Sequence, residues 1–119
     1  MRRAAGFTLV EVLVAITVIV VSMVALATMS ITALRTVDRN GERTVAVGLA
    51  QSRIESLRKA PFDSLENGTE NDRPPGAFAG YSVETTIEGG TPRVDLARVT
   101  VTVGTPGGQT VRLATLIGR

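Results

Sequence analysis

Phe7-Thr8-Leu9-Val10-Glu11-Val12-Leu13-Val14-Ala15, continuing to Leu34 without a second charge, is the stretch on which the reading of this chain turns. About twenty consecutive apolar residues are enough to cross the ~30 Å hydrocarbon layer of a bilayer as a helix, so residues 7–34 are predicted to span a membrane. Thr8, Thr17, Ser22, Thr28, Ser30 and Thr32 fit that prediction, because a helical hydroxyl can return a hydrogen bond to a carbonyl one turn back. Glu11 does not. An acid costs up to roughly 2.5–3.5 kcal/mol at the bilayer centre, and acids placed there usually have a partner or a function. The competing reading is that Glu11, near the end of the span, simply reaches the headgroups.

Upstream lies a short basic leader, Met1-Arg2-Arg3-Ala4-Ala5, closed by Gly6. Leader, glycine, aromatic, threonine and a glutamate four positions after Phe7, followed by an uncharged span, together closely resemble the N-terminus of type IV prepilins and of the pseudopilins of type II secretion. The resemblance covers about the first thirty residues. It implies cleavage between Gly6 and Phe7 by a membrane-embedded prepilin peptidase and methylation of the new Phe7 amine. It further implies a subunit of a helical filament in which Glu11 meets the terminal amine of a neighbouring subunit.

A Sec-type signal peptide also begins with a basic region, and Ala25-Leu26-Ala27 offers an A-x-A cleavage site. Its apolar region usually runs about 7–15 residues, whereas here the uncharged stretch continues from Val12 to Leu34, past that site. Orientation is not decided by counting cations, since Arg2 and Arg3 flank one end of the span and Arg35, Arg39 and Arg43 the other. The resemblance places the leader in the cytoplasm.

Composition narrows the function. The chain of 119 residues has room for one small domain beyond the span. Its formal charge of +2 vanishes if Arg2 and Arg3 leave with the leader, which argues against a nucleic-acid partner, whose phosphates call for a dense basic face. Cysteine and histidine are both absent, which removes disulfides, cysteine metal sites, the most usual general base and the commonest covalent-catalysis pairs. No catalytic residue, metal ligand or cofactor is expected.

Past the span, residues 35–60 continue as an amphipathic helix. Val47, Ala50, Ile54 and Leu57 recur at intervals of three and four, with Ala46 at the edge, and should face the rest of the domain. Asp38, Glu42, Ser52, Glu55, Ser56 and Lys59 fall on the other side, with Glu55 and Lys59 spaced for an ion pair. Val45 and Leu49 also fall there, which leaves a partner-binding face open. Gly41 and Gly48 weaken the helix and mark either a bend or a close approach by a neighbour. Ala60-Pro61 ends it.

Residues 62–80, rich in Asp, Glu, Asn, Gly and Pro, read as a loop. Asp63, Glu66, Glu70 and Asp72 raise the question of calcium, but Leu65 and Pro74 stand where an EF-hand needs oxygen ligands. Asn67-Gly68-Thr69 fits a glycosylation sequon. The last third turns to period two. Tyr81, Val83, Thr85 and Ile87 form one candidate strand, Val99, Val101 and Val103 a second, and Val111, Leu113 and Thr115 a third, with turns at Gly89-Gly90 and Pro106-Gly107-Gly108. Val94 and Leu96 have the opposite parity to Val99, which predicts a bulge near Ala97-Arg98.

The expected fold is therefore α+β: a long N-terminal helix, part membrane span and part amphipathic, packed on a small three-stranded antiparallel sheet within residues 61–119. The expected function is a minor structural subunit, pilin or pseudopilin, of a type IV pilus or type II secretion filament. Residues 46–57 and 113–119 look similar to I-type minor pseudopilins and V-type pilus modification proteins. Its partners would be the prepilin peptidase, other pilin or pseudopilin subunits and the membrane. It would sit as a single-pass protein of the inner membrane, with its C-terminal domain outside the cytoplasm, and in the filament after assembly. The alternatives are a membrane-anchored binding domain with an uncut N-terminus and a secreted protein released after Ala27.

Overall fold

The computed structural model describes residues 6–90 and 92–119. Of the basic leader, only Gly6 falls among them; Met1 to Ala5, with Arg2 and Arg3, lie outside the described residues. The chain divides into two compact units, Met1–Asp38 and Arg39–Arg119.

In the first unit the residues from Leu9 onward are helical, as part of helix α1 (Leu9–Lys59). Among the described residues this is the one helix long and apolar enough to cross a membrane. No side chain between Gly6 and Asp38 is buried. Leu9 is 82% exposed and even Val12 is 47% exposed. Its hydroxyls close on the helix itself: Thr17 donates to the Leu13 carbonyl at 2.7 Å, Ser22 to Val18 at 2.7 Å and Thr32 to Thr28 at 3.0 Å. Each of these hydroxyls is thereby satisfied without water, as an apolar surround demands.

The second unit joins the end of α1 to a sheet of four strands, one more than the alternation of the sequence predicts. β1 (Gly68–Asp72), β2 (Ser82–Gly89), β3 (Leu96–Gly104) and β4 (Thr110–Gly118) pair antiparallel in chain order. β1 arises within the stretch read as loop. All five of its residues are exposed, so it carries no apolar signal. Its neighbours hold it in place: Thr69 and Thr86 share a hydroxyl hydrogen bond at 3.2 Å, Arg53 pairs with Glu70, and the Gly89 N–H donates to Asn67 Oδ1 at 2.6 Å.

The core lies between α1 and one face of the sheet. Val99, Val101 and Val103 on β3 are fully buried, joined by Val83 and Thr85 on β2 and Ile117 on β4. From α1 come Ala46, Ala50 and Ile54, with Val45, Leu49 and Leu57 half-buried around them. The buried stripe contains Ala46, Ala50, Ile54 and Leu57 as expected and is wider on one side: Val45 and Leu49 belong to the core rather than to a partner-binding face, while Val47, half-buried, lies outside the core cluster beside Arg43, Thr44 and Gln51. The two methyl side chains of Ala46 and Ala50 let the helix backbone approach the β3 valines, which brings Val45 and Leu49 within reach of the sheet. Glu42, expected in solvent, instead accepts a hydrogen bond from the Gly107 N–H at 3.1 Å, and Glu55 and Lys59 make no ion pair.

Gly41 and Gly48 lie inside α1 without ending it, and a Cβ at either would meet nothing within 4 Å. The bulge expected near Ala97-Arg98 is not formed: β3 pairs residue for residue with β4 from Leu96↔Gly118 to Gly104↔Thr110. Ala97, 2% exposed, takes the core parity, and Leu96 points to the other face across from Gly118. The hairpin turn at Thr105–Gln109 places Gly108 at φ 80°, where a side chain would be strained.

The stripe has a direct test in urea unfolding of the detergent-solubilised chain. Ala50→Leu should overpack the core and cost roughly 1–3 kcal/mol, and Ile54→Ala roughly 2–5 kcal/mol. Val47→Ala, at a half-buried position outside the core cluster, should cost clearly less than Ile54→Ala.

Candidate functional site

The residues singled out by the sequence gather at the N-terminal end of α1. Gly6, Phe7 and Thr8 precede the first helical residue, and Phe7 is 82% exposed. Thr8 starts the helix. Its carbonyl accepts from the Val12 N–H at 3.1 Å, and its hydroxyl accepts from the Glu11 N–H at 3.2 Å. The hydroxyl thus satisfies one of the four amide donors that every helix leaves free at this end.

Thr8-Leu9-Val10-Glu11 has the spacing of a capping box, with a hydroxyl residue at the cap and an acid three positions later. The signal was legible in the sequence, but attention to Glu11 passed over Thr8. Only half of the box is formed. The Glu11 carboxylate is exposed and, among the described residues, makes no hydrogen bond or ion pair. Its charge stands in the first turn, where the helix macrodipole favours an anion by about 0.3–1 kcal/mol.

The remaining candidates do not converge on a second site. Asp63 is held by Arg119 at 2.7 Å and Glu70 by Arg53. Among the described residues no three or more of His, Cys, Asp and Glu are grouped so that they could hold a metal ion. Asn67 of the sequon has its side-chain oxygen on the Gly89 N–H. Arg53, which sequence reasoning did not single out, reaches both Thr85 Oγ1 at 3.3 Å and Glu70, joining α1 to β1 and β2.

A cap that acts through a hydroxyl should tolerate Thr8→Ser and not Thr8→Ala. Amide hydrogen exchange in detergent should show Leu9 to Glu11 opening more easily in Thr8→Ala, by roughly 0.5–2 kcal/mol, with strand amides unchanged.

Comparison with known proteins adds one finding. Residues 1–27 match the model of the prokaryotic N-terminal methylation motif, a span that includes Gly6, Phe7, Thr8, Glu11 and the first turns of α1. No curated protein and no solved structure matches the chain. Over that N-terminal segment the chain carries the methylation motif of type IV prepilin-like proteins, as its resemblance to them led us to expect.

Proposed function

We propose that the chain is a minor structural subunit, pilin or pseudopilin, of a type IV pilus or type II secretion filament. The observation that carries this reading is the methylation motif together with an exposed carboxylate, without an ion pair among the described residues, in the first turn of an otherwise uncharged apolar stretch. On this reading residues 1–6 are the leader. Prepilin peptidase cuts between Gly6 and Phe7, and Phe7 then carries the methylated amine. Residues 7–34 lie in the inner membrane before assembly and among neighbouring subunits after it; residues 35–60 and 61–119 form the domain outside the cytoplasm. The motif's family is structural rather than catalytic, which accords with a chain that has neither histidine nor cysteine.

Glu11 is the residue of assembly. A carboxylate about 4 Å from a neighbour's Phe7 amine gains roughly 4 kcal/mol at an effective dielectric of about 20, and desolvation of the two charges offsets part of that. The pair is formed only when a neighbour arrives in the correct axial register.

Mass spectrometry of the mature N-terminus separates this reading from its alternatives. A chain beginning with methylated Phe7 supports it, an uncut chain points to a membrane-anchored binding domain, and a chain beginning at Thr28 points to Sec secretion. In a strain assembling the filament, Glu11→Gln should leave membrane insertion intact and reduce incorporation into sheared filaments at least about tenfold, the equivalent of 1.4 kcal/mol. Wild-type incorporation by that variant would refute the electrostatic role.

A further inference from the structure

The sheet has two open edges, β1 and β4, and among the described residues no segment pairs with the outer side of either. The hairpin bonds fix which groups are free. Thr105 N–H donates to the Gln109 carbonyl at 2.9 Å, so Val103↔Val111, Val101↔Leu113 and Val99↔Thr115 are the hydrogen-bonded pairs of the β3–β4 ladder. The main-chain groups of Arg112, Ala114 and Leu116 therefore point outward from β4. By the same alternation, starting from the Gly90 N–H bonded to the Leu96 carbonyl at 2.9 Å, those of Thr69 and Asn71 point outward from β1.

The two edges differ in charge. β4 has nine residues and no acid, with Arg112 its one charge, Arg98 of β3 opposite Leu116, and Arg58 of α1 donating to Thr115 Oγ1 at 3.0 Å. Glu55 is the one carboxylate along the groove between α1 and β4. β1 carries Glu70 and Asp72, preceded by Glu66 and flanked by Glu84 of β2 opposite Asn71, with Arg73 at its end. Among the described residues Arg98, Arg112, Glu84 and Asp72 form no ion pair. A long, flat edge with a single charge is a template for strand addition, and charge on a short polar edge selects what it pairs with.

We propose that β4 of one copy takes β1 of a second copy as its next strand, so that the two edges of this chain are each other's partners. Strand direction fits. With four strands alternating in direction, a copy moved sideways without rotation brings β1 antiparallel to β4 and keeps α1 on the same face of the extended sheet. The contact is head-to-tail, so it leaves a free edge at each end and can recur. Pairing like edges is disfavoured, because β4 on β4 gathers Arg58, Arg98 and Arg112 with their own copies, and β1 on β1 gathers the acids. The register that sets Arg112 opposite Asn71 puts Glu84 one strand beyond Asn71 on the same outer face, about 9.6 Å across, within reach of a long arginine side chain, and sets Ala114 opposite Thr69. On the helix side it sets Glu70 opposite Leu113, diagonal to Thr115 and Arg58. This inference rests on the sheet alone and not on the assigned role of Glu11.

The chain has no cysteine, so the contact can be read by disulfide trapping of the full chain in detergent. Thr69→Cys and Ala114→Cys both lie on the outer face of their strands. Within one copy they are three strand spacings apart, about 14 Å, too far to bridge. Under mild oxidation a mixture of the two single variants should give a disulfide-linked heterodimer, and neither variant alone should dimerise. The double variant should give a ladder of multimers, and added Arg112→Glu should cut the linked product several-fold while far-UV circular dichroism stays unchanged. Thr100→Cys on β3, an interior strand, serves as the collision control and should not link to Thr69→Cys. Homodimers of Ala114→Cys, linking of Thr100→Cys as efficient as that of Ala114→Cys, or no linked product in the mixture would each overturn the proposal.

Discussion

Between Leu9 and Val37 the chain displays a continuous apolar surface with no core of its own to bury it, and everything else about the molecule follows from the need to remove that surface from water. Monomeric soluble proteins seldom expose apolar patches of more than a few hundred square ångströms. Burying a valine or leucine side chain is worth roughly 1.5–3 kcal/mol, so a stretch of this length is driven out of water with a force that no cap or ion pair in the chain can match. Lipid can satisfy it, and so can the equivalent stretch of neighbouring subunits. A helix suits both surrounds because it meets its own backbone hydrogen bonds, and with the Thr and Ser hydroxyls bonded one turn back the Glu11 carboxylate is the polar group left outstanding among the described residues of the stretch.

The second unit meets the opposite difficulty, a core too small to be generous. It closes that core by bringing a helix backbone close to a valine-lined strand, with Ala46 and Ala50 as spacers. Polar side chains on α1 then tie down the periphery. Glu42 holds the β3–β4 turn through the Gly107 N–H, Arg53 holds β1 and β2, and Arg58 holds β4. These contacts are mostly exposed, and each contributes little alone; together they fix how the helix sits on the sheet, since each joins α1 to a different strand or turn.

The sequence disclosed these features unequally. The apolar stretch, its lone acid and the three core strands were legible because each is a repeated local signal: uniform hydropathy in α1, strict alternation at Val99, Val101 and Val103. β1 was hidden, because an exposed edge strand such as Gly68-Thr69-Glu70-Asn71-Asp72 has no apolar face and owes its shape to partners in β2. The core face of α1 was legible in Ala46, Ala50, Ile54 and Leu57, but its width was not, since Val45 and Leu49 fall among polar neighbours in sequence; at Ala97 the weak burial signal of alanine left the parity to Leu96 and produced a bulge that the ladder does not contain. At the candidate site Glu11 stood out through its cost in lipid, whereas Thr8 was read as one span hydroxyl among six and as part of the motif, but not as the helix cap.

Thr8 changes how Glu11 is weighed. If the acid were present only to cap the helix, its side chain would be needed for the cap, yet the bond that forms uses the Glu11 main-chain N–H and the Thr8 hydroxyl. Glutamine at this position would keep that bond. What the carboxylate adds locally is its charge in the macrodipole field, about 0.3–1 kcal/mol, which falls short of the roughly 2.5–3.5 kcal/mol that an acid costs deep in lipid. At the edge of a bilayer the two can balance, because the side chain reaches headgroup water. Among packed apolar helices no headgroup is within reach, and the deficit returns unless a cation is supplied. On the proposed function, a terminal amine on a neighbouring processed chain supplies that cation at the same level of its own helix. The carboxylate is then tolerable in an isolated subunit and stabilising only in a correctly registered pair, which is the energetic asymmetry that directional assembly needs.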